Sequence, residues 1–260
     1  MKISHSEVRT FKECRRKYFF RYVERLVPIQ TAEALAVGSE FHDKVAQVLK
    51  KGFFEPTGEK TDAMVVAWQK YVMPVIHFKN NPEQFFKIQL REDIELIGFV
   101  DGECIDGLQV EHKTTGYSID DKYIHRLAWD EQIPTYLLCS GNTDMWYTVI
   151  EKPTIRQTQK ETLEQYLDRC VAWYDTDTEQ KVRVFRVHRQ REELEQHREN
   201  LILIADEIST CKNYYRNPSA CSIMSCPYSS ICLDYDPEMI LGFEKKEGRG
   251  PNGNPDTESV

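Results

Sequence analysis

A carboxylate and an ammonium group lie two residues apart in one short segment of the chain. Glu111 and Lys113 fall within residues 108–113, which the sequence predicts to be a β-strand, so both side chains point to the same face of the sheet. This arrangement suits phosphodiester hydrolysis, in which the acid binds a divalent cation and the lysine orients water or stabilises developing negative charge. The pair alone does not establish that chemistry, because Glu and Lys on one strand face are more often a surface ion pair.

A second carboxylate, Asp101, directly follows the apolar run of residues 94–100. A two-residue turn at Asp106 and Gly107 would place Asp101 and Glu111 on opposite faces of the hairpin. A three-residue loop of residues 105–107, with Gly107 in the left-handed conformation of a bulge, sets Asp101 directly opposite Glu111. We expect the second register, in which the two carboxylates can share a hard cation.

Two predicted helices offer further polar side chains. His42 follows the apolar Phe41 on a helix predicted over residues 32–50, where an imidazole nitrogen could bind the same metal ion. Gln132 and Tyr136 are four residues apart, so they share one face of a helix predicted over residues 121–138. Each of these residues also has an ordinary structural explanation, as a core or boundary side chain.

The joint order of these motifs resembles the RecB-like branch of the PD-(D/E)XK nuclease superfamily. The motifs are G-x-x-x-H, G-x-x-D, E-x-K and Q-x-x-x-Y, and they follow one another on predicted α, β, β and α elements. In this sequence the motif positions are occupied by Gly38 and His42, Gly98 and Asp101, Glu111 and Lys113, and Gln132 and Tyr136. The resemblance covers about residues 4–234.

The resemblance implies an α/β fold of the restriction-endonuclease type, with a mixed central sheet flanked by helices. It implies that Mg²⁺ or Mn²⁺ is bound by His42, Asp101, Glu111 and the backbone carbonyl of His112. It further implies that Lys113 is catalytic together with the two carboxylates, and that Gln132 and Tyr136 support the site or contact DNA. His112 between the acid and the lysine departs from the residues that many relatives carry there.

Eight cysteines occur in a chain for which we expect a reducing, cytoplasmic location, so clustered cysteines indicate metal binding first. Cys221, Cys226 and Cys232 form a compact C-terminal group, and Cys14 is the isolated candidate for a fourth thiolate. Four thiolates suit zinc or an iron–sulfur cluster. The lack of the short C-x2-C spacing favours the cluster, and a chance grouping of free thiols remains open.

One N-terminal and three C-terminal cysteines around the nuclease motifs resemble the iron–sulfur nucleases, including the AddB nuclease domain and the CRISPR-associated RecB-like exonucleases. The resemblance implies a 4Fe-4S cluster bound by Cys14, Cys221, Cys226 and Cys232, which joins the N-terminal helix to the C-terminal segment. We interpret the remaining cysteines as structural thiols: Cys104, Cys139, Cys170 and Cys211.

The net charge of −8 argues against a protein that coats nucleic acid over its whole surface. A local basic segment remains, and we predict that Arg15, Arg16 and Lys17 contact DNA, although a solvated helix face fits equally well. The chain lacks an apolar run of ~18 residues and an N-terminal signal sequence, which predicts no membrane partner and a soluble cytoplasmic protein.

These residues must be positioned by alternating helices and strands. Helices are predicted over residues 6–23, 32–50, 62–71, 121–138 and 189–211, and strands over 85–90, 94–100, 108–113, 145–150 and 182–187. The first three strands should form a small antiparallel meander. We expect a single domain over residues 1–243 and a disordered tail over 244–260, which is rich in Gly, Pro, Asn and charge.

The sequence therefore predicts a Mg²⁺- or Mn²⁺-dependent deoxyribonuclease, an exonuclease that acts on DNA ends or single strands. Recombination, repair, phage DNA metabolism and CRISPR adaptation all fit, with a helicase or a CRISPR-adaptation protein as a partner. No phosphate-binding loop of the G-x-x-x-x-G-K-[ST] type occurs, so the chain has no motor of its own. Two alternatives are a zinc-stabilised DNA-binding module and a nuclease-fold subunit without turnover.

Overall fold

The computed structural model describes residues 1–29, 33–221, 226–233 and 237–246, and the statements below refer to these residues. The α-helices are α1 (His5–Glu13), α2 (Arg15–Tyr18), α3 (Glu33–Lys51), α4 (Lys60–Tyr71), α5 (Asp121–Leu127), α6 (Gln132–Ser140), α7 (Leu163–Trp173), α8 (Thr178–Lys181), α9 (Arg191–Thr210) and α10 (Ser229–Leu233). The strands are β1 (Lys2–Ser4), β2 (Leu26–Pro28), β3 (Gln84–Arg91), β4 (Ile94–Val100), β5 (Gly102–Glu103), β6 (Gln109–Thr115), β7 (Asp144–Glu151), β8 (Val182–His188) and β9 (Phe243–Lys245). A π-helix covers Phe19–Val23, and 3-10 helices cover Pro218–Ala220 and Pro237–Gly242.

The chain divides into two compact units, where we expected a single domain. The first unit comprises Met1–Ala32, Lys87–Gly98 and Gln196–Glu258, and the second comprises Glu33–Phe86 and Phe99–Glu195. All the predicted nuclease residues from His42 to Tyr136 except Gly98 lie in the second unit, and the four cysteines predicted to hold a cluster lie in the first. None of the described helices is long and apolar enough to cross a membrane.

The second unit is built on a four-stranded mixed sheet with the strand order β5-β6-β7-β8. Strands β6 and β7 are parallel, whereas β5 pairs with β6 and β8 pairs with β7 in the antiparallel sense. Two separate apolar clusters pack around it. Helices α3 and α4 contribute Phe41 and Trp68 to the cluster that contains Val110 of β6, and α6 contributes Leu137 to the cluster that contains Val149 of β7. The predicted α/β class with a mixed sheet flanked by helices is confirmed, because helices cover both faces of the sheet.

The turn before β6 has the predicted three-residue form. The N–H of Cys104 donates to the carbonyl of Leu108 at 2.8 Å, and the N–H of Gly107 donates to the carbonyl of Cys104 at 3.0 Å. Gly107 has a φ of 84°, the left-handed conformation that a glycine adopts without steric cost. The bulge therefore forms where the sequence predicts it.

The strand register that follows from this turn pairs Gly102 with Val110. One residue further along each strand, Asp101 lies opposite Glu111, on the same side of the hairpin. The predicted register is confirmed. The carbonyl of Asp101 also accepts a hydrogen bond from the N–H of Glu83 at 3.1 Å, which holds the chain where β4 ends and β5 begins.

A buried lysine anchors α3, the helix that carries His42. The ammonium group of Lys44 is within hydrogen-bond distance of four oxygens, on Glu40, Thr57, Thr61 and Asp62. Lys44 is only 2% exposed, and a buried ammonium is tolerated only when its donors are used in this way. The ion-pair network joins α3 to the start of α4.

In the first unit the predicted single helix is broken at Cys14. The backbone of Cys14 is extended, with φ −160° and ψ 117°, so α1 ends before it and α2 starts after it. The segment after α9 supplies the missing partners: the carbonyl of Tyr215 accepts from the N–H of Arg16 at 3.1 Å, and the side-chain amide of Asn217 donates to the carbonyl of Glu13 at 2.8 Å. The expectation of a continuous helix over residues 6–23 is wrong because these long-range hydrogen bonds replace helical ones.

Three further expectations about the elements are wrong. The predicted meander is split, because β4 pairs in parallel with β1 in a sheet of order β1-β4-β3, whereas β6 lies in the other sheet. The helix over residues 121–138 is two helices, α5 and α6. Residues 243–245, part of which we assigned to a disordered tail, form β9, which pairs with β2 and so satisfies its backbone groups. Residues 247–260 of that tail lie outside the described residues.

Candidate active site

Two elements, α3 and β6, bring polar groups to Asp101. His42 on α3 places its Nδ1 atom 3.1 Å from Oδ1 of Asp101, and the backbone N–H of His112 on β6 donates to Oδ2 at 2.7 Å. Glu111 lies opposite on β6, and its negative charge and that of Asp101 interact. The structure thus brings together the imidazole and both carboxylates that the sequence singled out.

Glu111 is the most constrained acid of the site. It is 2% exposed, its Oε1 atom pairs with the ammonium of Lys113, and its Oε2 atom is buried without a hydrogen-bond partner among the described residues. Burial and the nearby charge of Asp101 raise the pKa of Glu111 to about 8. A buried carboxylate oxygen that lacks a donor is costly by itself and is a suitable ligand for a cation.

Asp101 differs from Glu111 in its proton affinity. Burial alone would raise the pKa of Asp101, but the charge of His42 and its hydrogen bond hold that pKa well below its ordinary value. Burial alone would likewise lower the pKa of His42, and Asp101 reverses this effect and raises it. The two acids therefore form an unequal pair, one stabilised as a carboxylate and the other destabilised.

Lys113 is held between an acid and an amide. Its Nζ atom donates to Oε1 of Gln132 at 2.6 Å and pairs with Glu111, and the amide nitrogen of Gln132 donates to the hydroxyl of Tyr136 at 2.6 Å. Burial alone would lower the pKa of Lys113, but the charge of Glu111 raises it above its ordinary value. The ammonium stays charged, and Gln132 and Tyr136 fix its position from one face of α6.

Two supporting residues were missed in the sequence. The carboxylate of Asp130 accepts from the backbone N–H of Gln132 at 2.9 Å and lies 3.2 Å from the hydroxyl of Tyr147. Tyr147 is the register partner of Glu111 on β7. An aspartate two residues before a helix start could have been found as a capping signal, but its partner on β7 follows only from strand pairing.

The imidazole of His112 points away from Glu111 and Lys113. It is 1% exposed, its Nδ1 atom lies 2.6 Å from the hydroxyl of Thr148, and its ring packs against Trp68 and Phe78. Burial lowers the pKa of His112 to about 4, so the ring is neutral. Within this structure His112 contributes its backbone N–H to the site, and the predicted metal contact of its carbonyl stays a prediction.

The donor chemistry of the site fits a hard divalent cation. Among the described residues, no group of three or more His, Cys, Asp or Glu is arranged to hold a metal ion directly. His42 and Asp101 contact each other, and Glu111 contacts Lys113. Two carboxylates and one imidazole nitrogen are ligands that Mg²⁺ and Mn²⁺ accept, and the free Oε2 atom of Glu111 is the oxygen available first.

The four cysteines predicted to hold a cluster lie in neighbouring parts of the first unit. Burial raises the pKa of Cys226, and the charges of Cys221 and Cys14 add to this effect. Cys226 and Cys232 both pack against the apolar cluster around Phe20. All four thiols are among the described residues, where no group of three or more His, Cys, Asp or Glu is arranged to hold a metal ion directly. Residues 222–225, between Cys221 and Cys226, lie outside the described part of the chain. Cluster binding stays a prediction.

The basic residues predicted to contact DNA have partners within the first unit. Arg15 forms an ion pair with Glu207 at 2.7 Å, and Lys17 forms one with Glu13 at 3.0 Å. The guanidinium of Arg16 lies over the rings of two neighbouring phenylalanines. Exposed ion pairs of this kind are weak and can be exchanged for phosphates, so the predicted DNA contact is neither supported nor opposed.

Comparison with known proteins gives a partial family match and a shared fold. A family model described as the PD-(D/E)XK nuclease superfamily matches residues 2–92, a segment that includes α3 and His42 and ends before Asp101. A solved structure of a "Putative exonuclease" from Eubacterium rectale is 12% identical, with a TM-score of 0.54 over 88% of each chain. The chain therefore shares an α/β fold with that protein.

Two further solved structures are more distant. A phage-related exonuclease from Haemophilus somnus 129PT has a TM-score of 0.39 and 9% identity, over 80% of this chain and 92% of that chain. An alkaline exonuclease from Laribacter hongkongensis has a TM-score of 0.35 and 12% identity, over 80% of this chain and 90% of that chain. No curated protein sequence matches the chain significantly.

Proposed function

We propose that this protein is a metal-dependent DNA nuclease whose reaction takes place at Asp101, Glu111 and Lys113. The observation that carries the proposal is the paired arrangement of two carboxylates across a bulged hairpin, with a charged lysine in contact with one of them. An ion pair on a sheet surface would be exposed, whereas Glu111 is buried and has a carboxylate oxygen left without a donor. The shared α/β fold and the partial match to the nuclease superfamily support the same conclusion.

The metal ion would be Mg²⁺ or Mn²⁺, held by His42, Asp101, Glu111 and the backbone carbonyl of His112. When bound, such an ion polarises a phosphoryl oxygen and lowers the pKa of a water molecule. The structure supports this ligand set through the raised pKa of Glu111, since a cation between two carboxylates offsets their mutual repulsion.

Lys113 is already protonated, so it supplies a positive charge without any proton transfer. Its raised pKa keeps it an ammonium, so it can stabilise the negative charge that develops on the phosphate and orient the attacking water. Gln132 and Tyr136 hold Nζ in place through consecutive hydrogen bonds. Asp130 fixes Gln132 in turn, and this rigid support reduces the reorganisation needed during the reaction.

In the first unit we propose a 4Fe-4S cluster bound by Cys14, Cys221, Cys226 and Cys232. The break of the helix at Cys14 supports this assignment, because the hydrogen bonds of Arg16 to Tyr215 and of Asn217 to Glu13 tie that position to the segment leading to the C-terminal cysteines. The activity we propose is that of an exonuclease on DNA ends or single strands, in recombination, repair, phage DNA metabolism or CRISPR adaptation, with a helicase or a CRISPR-adaptation protein as partner.

The test is a cleavage assay on protein purified without oxygen. End-labelled single-stranded and duplex DNA are incubated with Mn²⁺, with Mg²⁺ or with EDTA. We expect stepwise loss of nucleotides from the ends in the presence of either metal ion and none with EDTA. Intact DNA under all three conditions would leave a DNA-binding module or a subunit without turnover as the better description.

A further inference from the structure

Two aromatic side chains of the second unit are almost fully exposed close to the candidate active site. Tyr117 is 79% exposed and Trp129 is 77% exposed. Tyr117 follows the end of β6, the strand that carries Glu111 and Lys113, and Trp129 precedes the start of α6, which carries Gln132. A single exposed apolar residue needs no explanation, but these two rings lie beside the elements of the candidate active site and on well-supported turns.

The turn that carries Tyr117 is held in place by its neighbour. The hydroxyl of Thr115 accepts a hydrogen bond from the N–H of Tyr117 at 3.1 Å and is 3.2 Å from its carbonyl, to which it can donate. Thr115 itself is buried at the end of β6. Tyr117 is therefore exposed on a fixed turn that continues directly from the catalytic strand.

The turn that carries Trp129 is fixed by another set of hydrogen bonds. Its N–H donates to the carbonyl of Arg126 at 3.0 Å, and the guanidinium of Arg189 donates to the carbonyls of Leu127 at 2.6 Å and Ala128 at 3.3 Å. The next residue, Asp130, caps α6 through the N–H of Gln132. The indole is thus presented to solvent by a rigid support.

A few nucleotides of DNA are long enough to reach from the candidate active site to either ring. Trp129 is three positions before Gln132 in the chain, and Tyr117 is four positions after Lys113. Extended chain spans at most ~3.6 Å per residue, so the corresponding Cα atoms are no more than ~11 Å and ~14 Å apart. A stacked strand rises ~3.4 Å per nucleotide, so these distances correspond to about three or four nucleotides.

The charges around the two rings favour recognition of bases over recognition of phosphates. Helix α5 exposes Lys122 and Arg126, but Asp121 and Glu131 are exposed in the same stretch, so the surface carries both signs. Such a surface attracts a phosphate backbone only weakly. Aromatic rings bind unpaired bases by stacking, independently of sequence, whereas the bases of a duplex already stack on one another.

We propose that Tyr117 and Trp129 are stacking sites for unpaired nucleobases of a single-stranded DNA end that enters the active site. This inference rests on the proposed nuclease function and adds a substrate preference to it. Because both rings sit on turns fixed to the catalytic elements, a stacked base would hold the adjacent phosphates in a constant relation to Lys113 and Gln132. Single-stranded ends should therefore be bound more tightly than blunt duplex ends.

Tryptophan fluorescence provides a direct test. The chain has four tryptophans, of which Trp129 is exposed, Trp68 is buried, and Trp146 and Trp173 are half-buried. The full-length protein is titrated with a short oligodeoxythymidylate in EDTA, which prevents cleavage, and binding is followed in parallel by anisotropy of a labelled oligonucleotide. We expect stacking to quench the emission of the wild type and the Trp129→Phe variant to lose that quenching.

Binding without quenching, no binding at all, or equal quenching in Trp129→Phe would each overturn the proposal. Alanine variants supply a second measurement. Trp129→Ala and Tyr117→Ala should each weaken binding of the oligodeoxythymidylate about 5- to 100-fold, as expected for loss of a base–aromatic stack, and should affect a blunt duplex less. Phe53→Ala removes an aromatic ring that is 58% exposed in the same unit, and it should leave binding unchanged.

The outcome separates this inference from the proposed function. If the wild type shows quenching but no metal-dependent cleavage, the stacking sites are supported and the proposed nuclease activity is contradicted. If the wild type, Trp129→Ala and Tyr117→Ala all cleave single-stranded DNA with equal efficiency, the nuclease activity is supported and the stacking sites are contradicted. Because both rings are exposed, their replacement should leave the melting temperature of the protein unchanged.

Discussion

The two carboxylates of the candidate active site differ in their affinity for a proton. His42 and the backbone N–H of His112 stabilise Asp101 as a carboxylate, whereas burial and the charge of Asp101 raise the pKa of Glu111 to about 8. The two acids therefore interact unfavourably. A divalent cation bound between them, as proposed, would offset this repulsion and so couple metal binding to the stability of the folded protein.

Asp101→Asn should abolish this coupling. We expect Mn²⁺ to raise the melting temperature of the wild type, because a ligand at a hundred times its dissociation constant stabilises the native state by about 2.7 kcal/mol. The variant lacks the carboxylate and should show little or no shift. The measurement is thermal unfolding with and without Mn²⁺, and Asp168→Asn, an exposed acid on α7, is the matched control that should behave like the wild type. An equal shift in Asp101→Asn would place the metal elsewhere.

At the residue scale, the sequence predicted the motif residues but not the residues that hold them in place. The spacing in the sequence identified His42, Asp101, Glu111 and Lys113, which the structure brings together. Asp130 supports the site through a contact with a residue of β7, and nothing local in the sequence pairs those positions. A sequence motif shows the side chains that the reaction needs at a fixed spacing. The residues that hold those side chains in place are set by tertiary contacts, which the local sequence does not show.

At the scale of elements, the bulged turn between β5 and β6 sets the geometry of the site. Gly107 adopts a φ of 84°, and the loop that it closes places Asp101 opposite Glu111. A register shifted by one residue would send one carboxylate to the other face of the sheet. Gly107 therefore helps to position the two carboxylates, although it is not itself part of the candidate active site.

Gly107→Ala should destabilise the protein by about 1 kcal/mol, because a Cβ atom in the left-handed conformation is strained. No atom lies within 4 Å of the added Cβ, so strain and not a clash is the expected cause. Gly116→Ala is the matched control, since its Cβ also meets open space and its φ lies outside the left-handed region. Urea unfolding measures both, and equal stability of the two variants would show that the bulge tolerates alanine.

Most elements could be predicted from local patterns, and most of the features that were missed depend on partners distant in the chain. The range of β4 was predicted to the residue, and the helix predicted over residues 32–50 is α3, which covers Glu33–Lys51. The break at Cys14 and the parallel pairing of β1 with β4 were missed because their hydrogen-bond partners are distant in the chain. Helix α7 was also missed, although Thr162 and Gln165 form the capping box that marks its start.

At the scale of the whole molecule, the two proposed sites lie in different units. The proposed nuclease residues other than Gly98 lie in the second unit, and the four cysteines predicted to hold a cluster lie in the first, with Cys14 more than 200 residues before Cys221. A metal shared by residues so far apart in sequence would close a very long loop. Long closures constrain the unfolded chain strongly in the chain-entropy account.

Cys14→Ala should remove the colour of the protein and lower its melting temperature. We expect the wild type purified without oxygen to be brown, with broad absorbance near ~400 nm, as thiolate-bound iron clusters are. Cys211→Ala, which removes another thiol of the first unit, is the control and should keep the colour. A colourless wild type with stoichiometric zinc would replace the cluster with a zinc site, and a coloured, equally stable Cys14→Ala would exclude Cys14 as a ligand.

The most direct test of the central claim is the rate at which Lys113→Ala degrades labelled DNA in the presence of Mn²⁺. Lys113 contacts Glu111 and Gln132, and its charge is expected to stabilise the transition state by several kcal/mol. We expect a folded variant that cleaves at least ~100-fold more slowly than the wild type. Lys122→Ala, which removes an exposed lysine of the same unit, should cleave at close to the wild-type rate. Near-normal cleavage by Lys113→Ala would contradict the assignment of the active site.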